Sequence, residues 1–175
     1  MAATVVLCES NTAGETETQD IANVNMGSVD ETEIVPADHP LTAEADGHSF
    51  EKWLRLYCSD LGGSSQIDNL KVWLSGLGGG WKQSESMSTN LVEAGYAAAS
   101  FPVAGPVDTD SADATEVMPE TEPAGANLGI GGALNGIIDT PPAYSDYIVL
   151  QLDVLADSPP GNVNQKTITQ QWDEM

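Results

Sequence analysis

Positive charge is what this chain has least of. Its 175 residues carry five lysines and arginines against 27 aspartates and glutamates, a formal net charge of −22. Binding to duplex nucleic acid draws on Lys and Arg to neutralise phosphates, and so few cations cannot form a basic stripe, so nucleic acid is not expected as a partner. Anionic membrane surfaces are disfavoured by the same repulsion. No apolar run approaches the roughly 18 residues of a membrane-spanning helix. The opening Met-Ala-Ala-Thr-Val-Val-Leu-Cys lacks the basic flank and long apolar stretch of a signal peptide. The chain reads as made and kept in solution.

Cysteine and histidine are nearly as scarce. Cys8 and Cys58 are too few for a disulfide scaffold, and each lies among apolar neighbours in a strand-like run, the usual habitat of a buried free thiol. A single disulfide between adjacent strands is the alternative. His39 and His48 are the only histidines, and structural zinc sites arrive as closely spaced ligand pairs, which these four residues do not form. Neither cysteine lies in a recognisable nucleophile turn, so a Cys-His pair is not expected to catalyse, and both histidines read as loop residues.

Other motifs fall short of a site. Asp108, Asp110 and Asp113 could offer carboxylates to calcium, but a helix-loop-helix calcium loop wants Gly at its sixth position and Glu at its twelfth, where Asp113 and Pro119 stand. A solvated acidic loop is the reading. The run Gly125–Gly136, GANLGIGGALNG, puts Leu134 where a dinucleotide fingerprint needs its third glycine, and no Gly-Lys-Ser/Thr phosphate loop is present. It reads as a flexible loop. With 27 acids, carboxylate pairs arise by chance and do not argue for glycosidase chemistry. No catalytic residue, cofactor or metal is expected, and the chain is read as a non-enzyme.

What the chain does have is alternation. Thr4–Cys8 (TVVLC) is a β-branched run, and the stretch from residue 21 to 49 mixes apolar pairs with Gly, Pro, Asn and Asp, as in short strands and turns. Phe50, Leu54, Leu56 and Cys58 share one face of a strand with Trp53, Arg55 and Tyr57 on the other, although helical spacing competes. After a Gly-Gly-Ser-Ser loop, Ile67, Leu70, Val72, Trp73 and Leu74 read as its partner strand. In YIVLQLDVL, Ile148, Leu150, Leu152 and Val154 line one face and Gln151 and Asp153 the other, the pattern of a half-buried strand. KTITQQW then reads as the second arm of a closing hairpin.

These elements predict an all-β fold: a single domain, residues 1–175, forming an antiparallel two-sheet β-sandwich of jelly-roll or immunoglobulin-like type with long loops. Residues 76–140 read as a long Gly-, Pro- and acid-rich excursion that buries too little apolar surface to order itself and so docks on neighbours.

Three of the five cations, Lys52, Arg55 and Lys71, fall in SFEKWLRLYCSDLGGSSQIDNLKVWLSG. On a sheet with acid-bearing neighbours they can pair across strands and relieve self-repulsion. A second reading makes Trp53, Arg55, Tyr57, Trp73 and Trp81 an exposed patch for a protein or glycan partner, since interfaces favour Trp, Tyr and Arg.

The phrases NMGSVDETEIVPADHPL, SFEKWLRLYCS, IDNLKVW, YSDYIVLQLDV and KTITQQWDE, in this order and spacing, resemble β-sandwich virion proteins encoded in the structural modules of tailed bacteriophages. The likeness spans most of the chain outside residues 76–140 and includes no catalytic signature. It implies a multicopy structural role: capsid decoration or cement, or else a tail, neck or baseplate component. The implied partners are the major capsid protein or tail proteins and further copies of the chain, in a virion assembled in the host cytoplasm. A carbohydrate-binding β-sandwich module, stacking sugars on Trp53, Tyr57, Trp73 or Trp81, is the alternative from another class.

Overall fold

A computed structural model describes residues 1–42, 47–76, 80–83, 85–99 and 116–175, with Glu116 described by its backbone only. Nine strands and no helix occur among them: β1 (Thr4–Asn11), β2 (Thr16–Gln19), β3 (Lys52–Asp60), β4 (Ile67–Gly76), β5 (Glu85–Glu93), β6 (Glu116–Val117), β7 (Ala143–Tyr144), β8 (Tyr147–Val154) and β9 (Lys166–Glu174). The chain is all-β, and each strand pairing is antiparallel. One sheet of seven strands runs β2-β1-β3-β8-β5-β6, with β7 beside β3, and β4 and β9 form a second sheet.

A large apolar cluster joins the two sheets. Leu54 and Leu56 of β3, Met87 and Leu91 of β5, and Ile148, Leu150 and Leu152 of β8 pack with Leu70, Val72 and Leu74 of β4, while Ile168 and Trp172 of β9 close over them. Residues two apart on a strand share a face, so each strand contributes alternate side chains to this layer. Burying so many Leu, Ile and Val side chains, each roughly 1.5–3 kcal/mol, is the main driving force of the fold.

The strands at 52–60 and 67–76 occur as expected, but they do not pair. β3 bonds to β1, β7 and β8, while β4 crosses to the other sheet. The turn between them takes Gly62 at φ +65°, where an added Cβ would lie 2.2 Å from the Met1 carbonyl oxygen. Leu54 and Leu56 of β3 and Leu70, Val72 and Leu74 of β4 nevertheless share one buried apolar cluster.

The C-terminal hairpin is likewise absent: β9 pairs with β4, and β8 lies between β3 and β5. Nor is β8 half-buried, since Tyr147–Asp153 are all buried. Gln151, read as solvent-facing, is 0% exposed. Its Nε2 donates to the Ser49 carbonyl at 3.0 Å, and Ser49 Oγ accepts the Leu152 amide at 3.0 Å, so residues near 49 roof the second face. A central strand covered on both faces needs no solvent side.

Within the supposed excursion, β5 is a full strand of the large sheet, and Met118, Leu128 and Ile138 are core residues. The stretch from residue 21 to 47 forms turns and bends rather than strands where it is described.

Candidate functional site

The outer face of the large sheet holds a polar cluster centred on Arg55. Register places Trp53, Arg55 and Tyr57 of β3 on the same face as Ser10, Cys8 and Val6 of β1. Arg55 Nε and Nη2 both donate to Glu17 Oε2, at 2.8 and 2.5 Å, and Glu15 Oε1 lies 3.3 Å from Nη2. The guanidinium carbon stands 3.8 Å from the Tyr144 ring centre and 4.8 Å from that of Tyr147. The two phenols close the circuit, Tyr144 donating to Glu17 Oε1 at 3.0 Å and Tyr147 to Glu15.

Beside this, Trp53 meets Tyr96 and Tyr147 edge-on, with ring centres 5.4 and 5.5 Å apart. Such pairs add to the value of the buried area alone. Burial raises the Glu17 carboxyl, but hydrogen bonds from Gln19, Arg55 and Tyr144 outweigh it and hold the group below the ordinary carboxylate range. Burial, with its Glu15 bond, pushes the Tyr147 phenol far upward, and burial with nearby acids pushes Tyr96 up to about 12. The cluster is a closed charge-and-ring lock that fastens β2 and β7 onto the sheet.

The five residues of the sequence-derived patch therefore do not converge. Trp53 is 1% exposed and spent on Tyr96 and Tyr147. Tyr57 stacks on Tyr144 with ring centres 4.9 Å apart, half-buried beside Arg55. Trp73 sits on β4, in the other sheet, opposite Thr169, and Trp81 belongs to the connection between β4 and β5. The other two cations of the opening run pair as expected of a structural role: Lys52 with Glu9, and Lys71 Nζ with Glu122 Oε1 at 3.0 Å.

Trp81 lines a cleft of about 550 Å³ between the sheets. Leu74, Met87, Leu152 and Ile168 form its apolar floor, and Met26 and Leu41 line it from the segment preceding β3. The Trp81 indole N–H is buried and without a partner among the described residues, while Lys166 Nζ stands 4.8 Å above its ring.

Two polar groupings escaped the sequence reading. Asp153 accepts hydrogen bonds from Ser86 and Ser88 at 3.0 and 2.7 Å, and its other oxygen lies 2.6 Å from His48 Nδ1. This is not a nucleophilic relay, because the serines bond the carboxylate rather than the imidazole. In the glycine loop, Gly131 and Gly132 adopt φ of +63° and +80°, and the Gly132 amide donates to both oxygens of buried Asp146 at 3.0 and 2.9 Å. The loop forms a nest filled by the chain's own carboxylate. An added Cβ on Gly129 would fall 2.0 Å from Asp146 Oδ2, which explains glycine there.

Cys8 and Cys58 are free and buried. Register puts Cys58 level with Val5 on the inner face and Cys8 level with Arg55 on the outer, so the sheet itself separates the two thiols. Among the described residues no three His, Cys, Asp or Glu side chains are grouped to hold a metal. Asp108, Asp110 and Asp113 lie outside the described residues. No family model, curated protein or solved structure matches the chain.

Proposed function

We propose that the chain is a non-enzymatic structural protein of a tailed-bacteriophage virion, a multicopy decoration or cement subunit of the capsid. A tail, neck or baseplate position is the alternative placement. The observation that carries this reading is where the resemblance falls: KWLRLYCS lies on β3, IDNLKVW on β4, YIVLQLDV on β8 and KTITQQWDE on β9. These strands build both sheets, so the likeness is one of framework rather than of an isolated loop.

The finer architecture belongs to the same proposal: the two sheets are the layers of an antiparallel β-sandwich of jelly-roll or immunoglobulin-like type. The core cluster shared by β3, β5 and β8 with β4 supports it. The charge of −22 favours a place on the particle's exterior, away from packaged nucleic acid, against the major capsid protein or tail proteins. A sugar-stacking platform finds less support, since Trp53 is buried and Trp73 and Trp81 stand on separate elements.

The test is composition. Particles from the host that produces this chain are banded on a density gradient, and the chain is quantified by mass spectrometry against the major capsid protein. A fixed ratio across the particle band supports the proposal. Recovery only in the soluble lysate, with none in the band, overturns it.

A further inference from the structure

The small sheet ends in an edge that the other described residues leave unpaired. β4 is satisfied on both sides: one pairs with β9, and the other meets Asn127, whose side chain accepts the Val72 amide and donates to the Val72 carbonyl, each at 2.8 Å. The Leu128 amide reaches the Leu70 carbonyl and the Leu74 amide reaches Pro119 along the same side. Among the described residues β9 has no such cover. From Thr167 to Asp173 no backbone group bonds to a described residue outside β4.

Sheets protect exposed edges with short strands, charges, proline or bulges. The large sheet follows this rule, its edge strands β2 and β6 being four and two residues long. β9 is nine residues long, and its six central residues, Thr167–Trp172, contain neither charge nor proline in a chain with 27 acids. No residue of β9 is buried, although Ile168 and Trp172 pack on the core, so their flanks are open.

The charges of β9 identify its occupant. Lys166 stands at the start of the strand and Asp173 and Glu174 at its end. Laid antiparallel on a second β9 about Gln170, Lys166 falls opposite Glu174 of the second copy, Thr167 opposite Asp173, Ile168 opposite Trp172 and Thr169 opposite Gln171. Opposite charges directly across a ladder attract, and aromatic with β-branched neighbours pack well. A parallel arrangement sets Lys166 against Lys166 and Glu174 against Glu174. A one-residue slip turns the apolar set toward the wrong face.

We infer that β9 is a self-pairing edge, and that two copies of this chain join through antiparallel β9–β9 contact into a four-stranded sheet β4-β9-β9-β4. The contact is isologous, so it closes at two copies rather than propagating. It stands apart from the virion reading, because nothing in it requires other virion proteins.

The test is mass measurement by light scattering and sedimentation across micromolar concentrations. The native chain is expected to form dimers. Lys166→Glu and Glu174→Lys should each weaken dimerisation by about tenfold or more, because each leaves like charges opposed at both ends of the pair. The double variant should restore it. A native chain that remains monomeric, or a dimer indifferent to both single exchanges, overturns the proposal. Should a variant fail to fold, hydrogen exchange of the native chain decides: amides of Thr167–Trp172 gain protection with concentration if the edge pairs, and show none if it does not.

Discussion

Lys52 Nζ lies 2.7 Å from Glu9 Oε1, and both side chains are entirely withdrawn from solvent. The pair sits on the inner face of the large sheet, with Lys52 also donating to the Glu31 carbonyl and Asn11 Nδ2 donating to Glu9 Oε1 at 3.0 Å. Glu9 Oε2 has no partner among the described residues. Breaking a buried pair strands a charge, whereas replacing both members by apolar groups does not. Lys52→Met should therefore lower stability by about 3–5 kcal/mol in urea unfolding, and adding Glu9→Leu should recover most of that loss. A single Lys52→Met variant as stable as the parent would refute the assignment.

β8 supplies the second expectation. Leu150→Ala, in the shared core, should cost about 2–5 kcal/mol. Gln151→Ala should cost about 1–3 kcal/mol, because it deletes a buried side chain bonded to the Ser49 carbonyl. Gln151→Ala without effect on the unfolding midpoint would mean that this face is open to water.

Glu17 and Asp146 should shape the acid limb in opposite senses. Glu17 titrates below its ordinary value in the fold, so its contribution is present above the unfolded carboxylate pKa of about 4.3 and is lost as pH falls through its folded pKa. Asp146 is raised by burial, against the opposing Gly132 and Gly131 amides. Its contribution is present below its unfolded pKa and is lost as pH rises through its folded one. Unfolding curves between pH 3 and 7 should lose steepness on the acid side in Glu17→Gln. In Asp146→Asn the same limb should steepen.

The thiols should be inert. Burial, then the Glu17 charge, raises the Cys8 pKa to about 11, and burial raises Cys58 as well. Alkylation at pH 8 should be slow for the native chain and fast in denaturant. Oxidants should give no intramolecular Cys8–Cys58 bond, and rapid formation of that bond in folded protein would contradict the register of β1 on β3.

Much of the strand content was legible, and little of the pairing. Alternation marked β3, β4, β8 and β9 because Leu, Ile, Val and aromatic side chains recur every second residue there. Which strands would pair is set by burial across the whole chain, so a short Gly-Gly-Ser-Ser loop suggested a hairpin where the chain instead changes sheet. β5 carried a signal that went unused: Met87, Thr89 and Leu91 alternate with Ser86, Ser88 and Asn90, but the serines and threonine diluted its hydrophobicity. That Lys52, Arg55 and Lys71 would pair with acids could be read from the acid-bearing neighbours expected around their strands. Their partners could not, because among 27 acids nothing local distinguishes Glu9, Glu17 or Glu122.

The most direct test of the central claim is a cryo-EM reconstruction of the assembled phage particle at a resolution that separates strands. The account predicts density for this all-β chain at many equivalent positions on the exterior, contacting the capsid shell or the tail. Particles complete in every other component, with no density for this chain at any site, would contradict it.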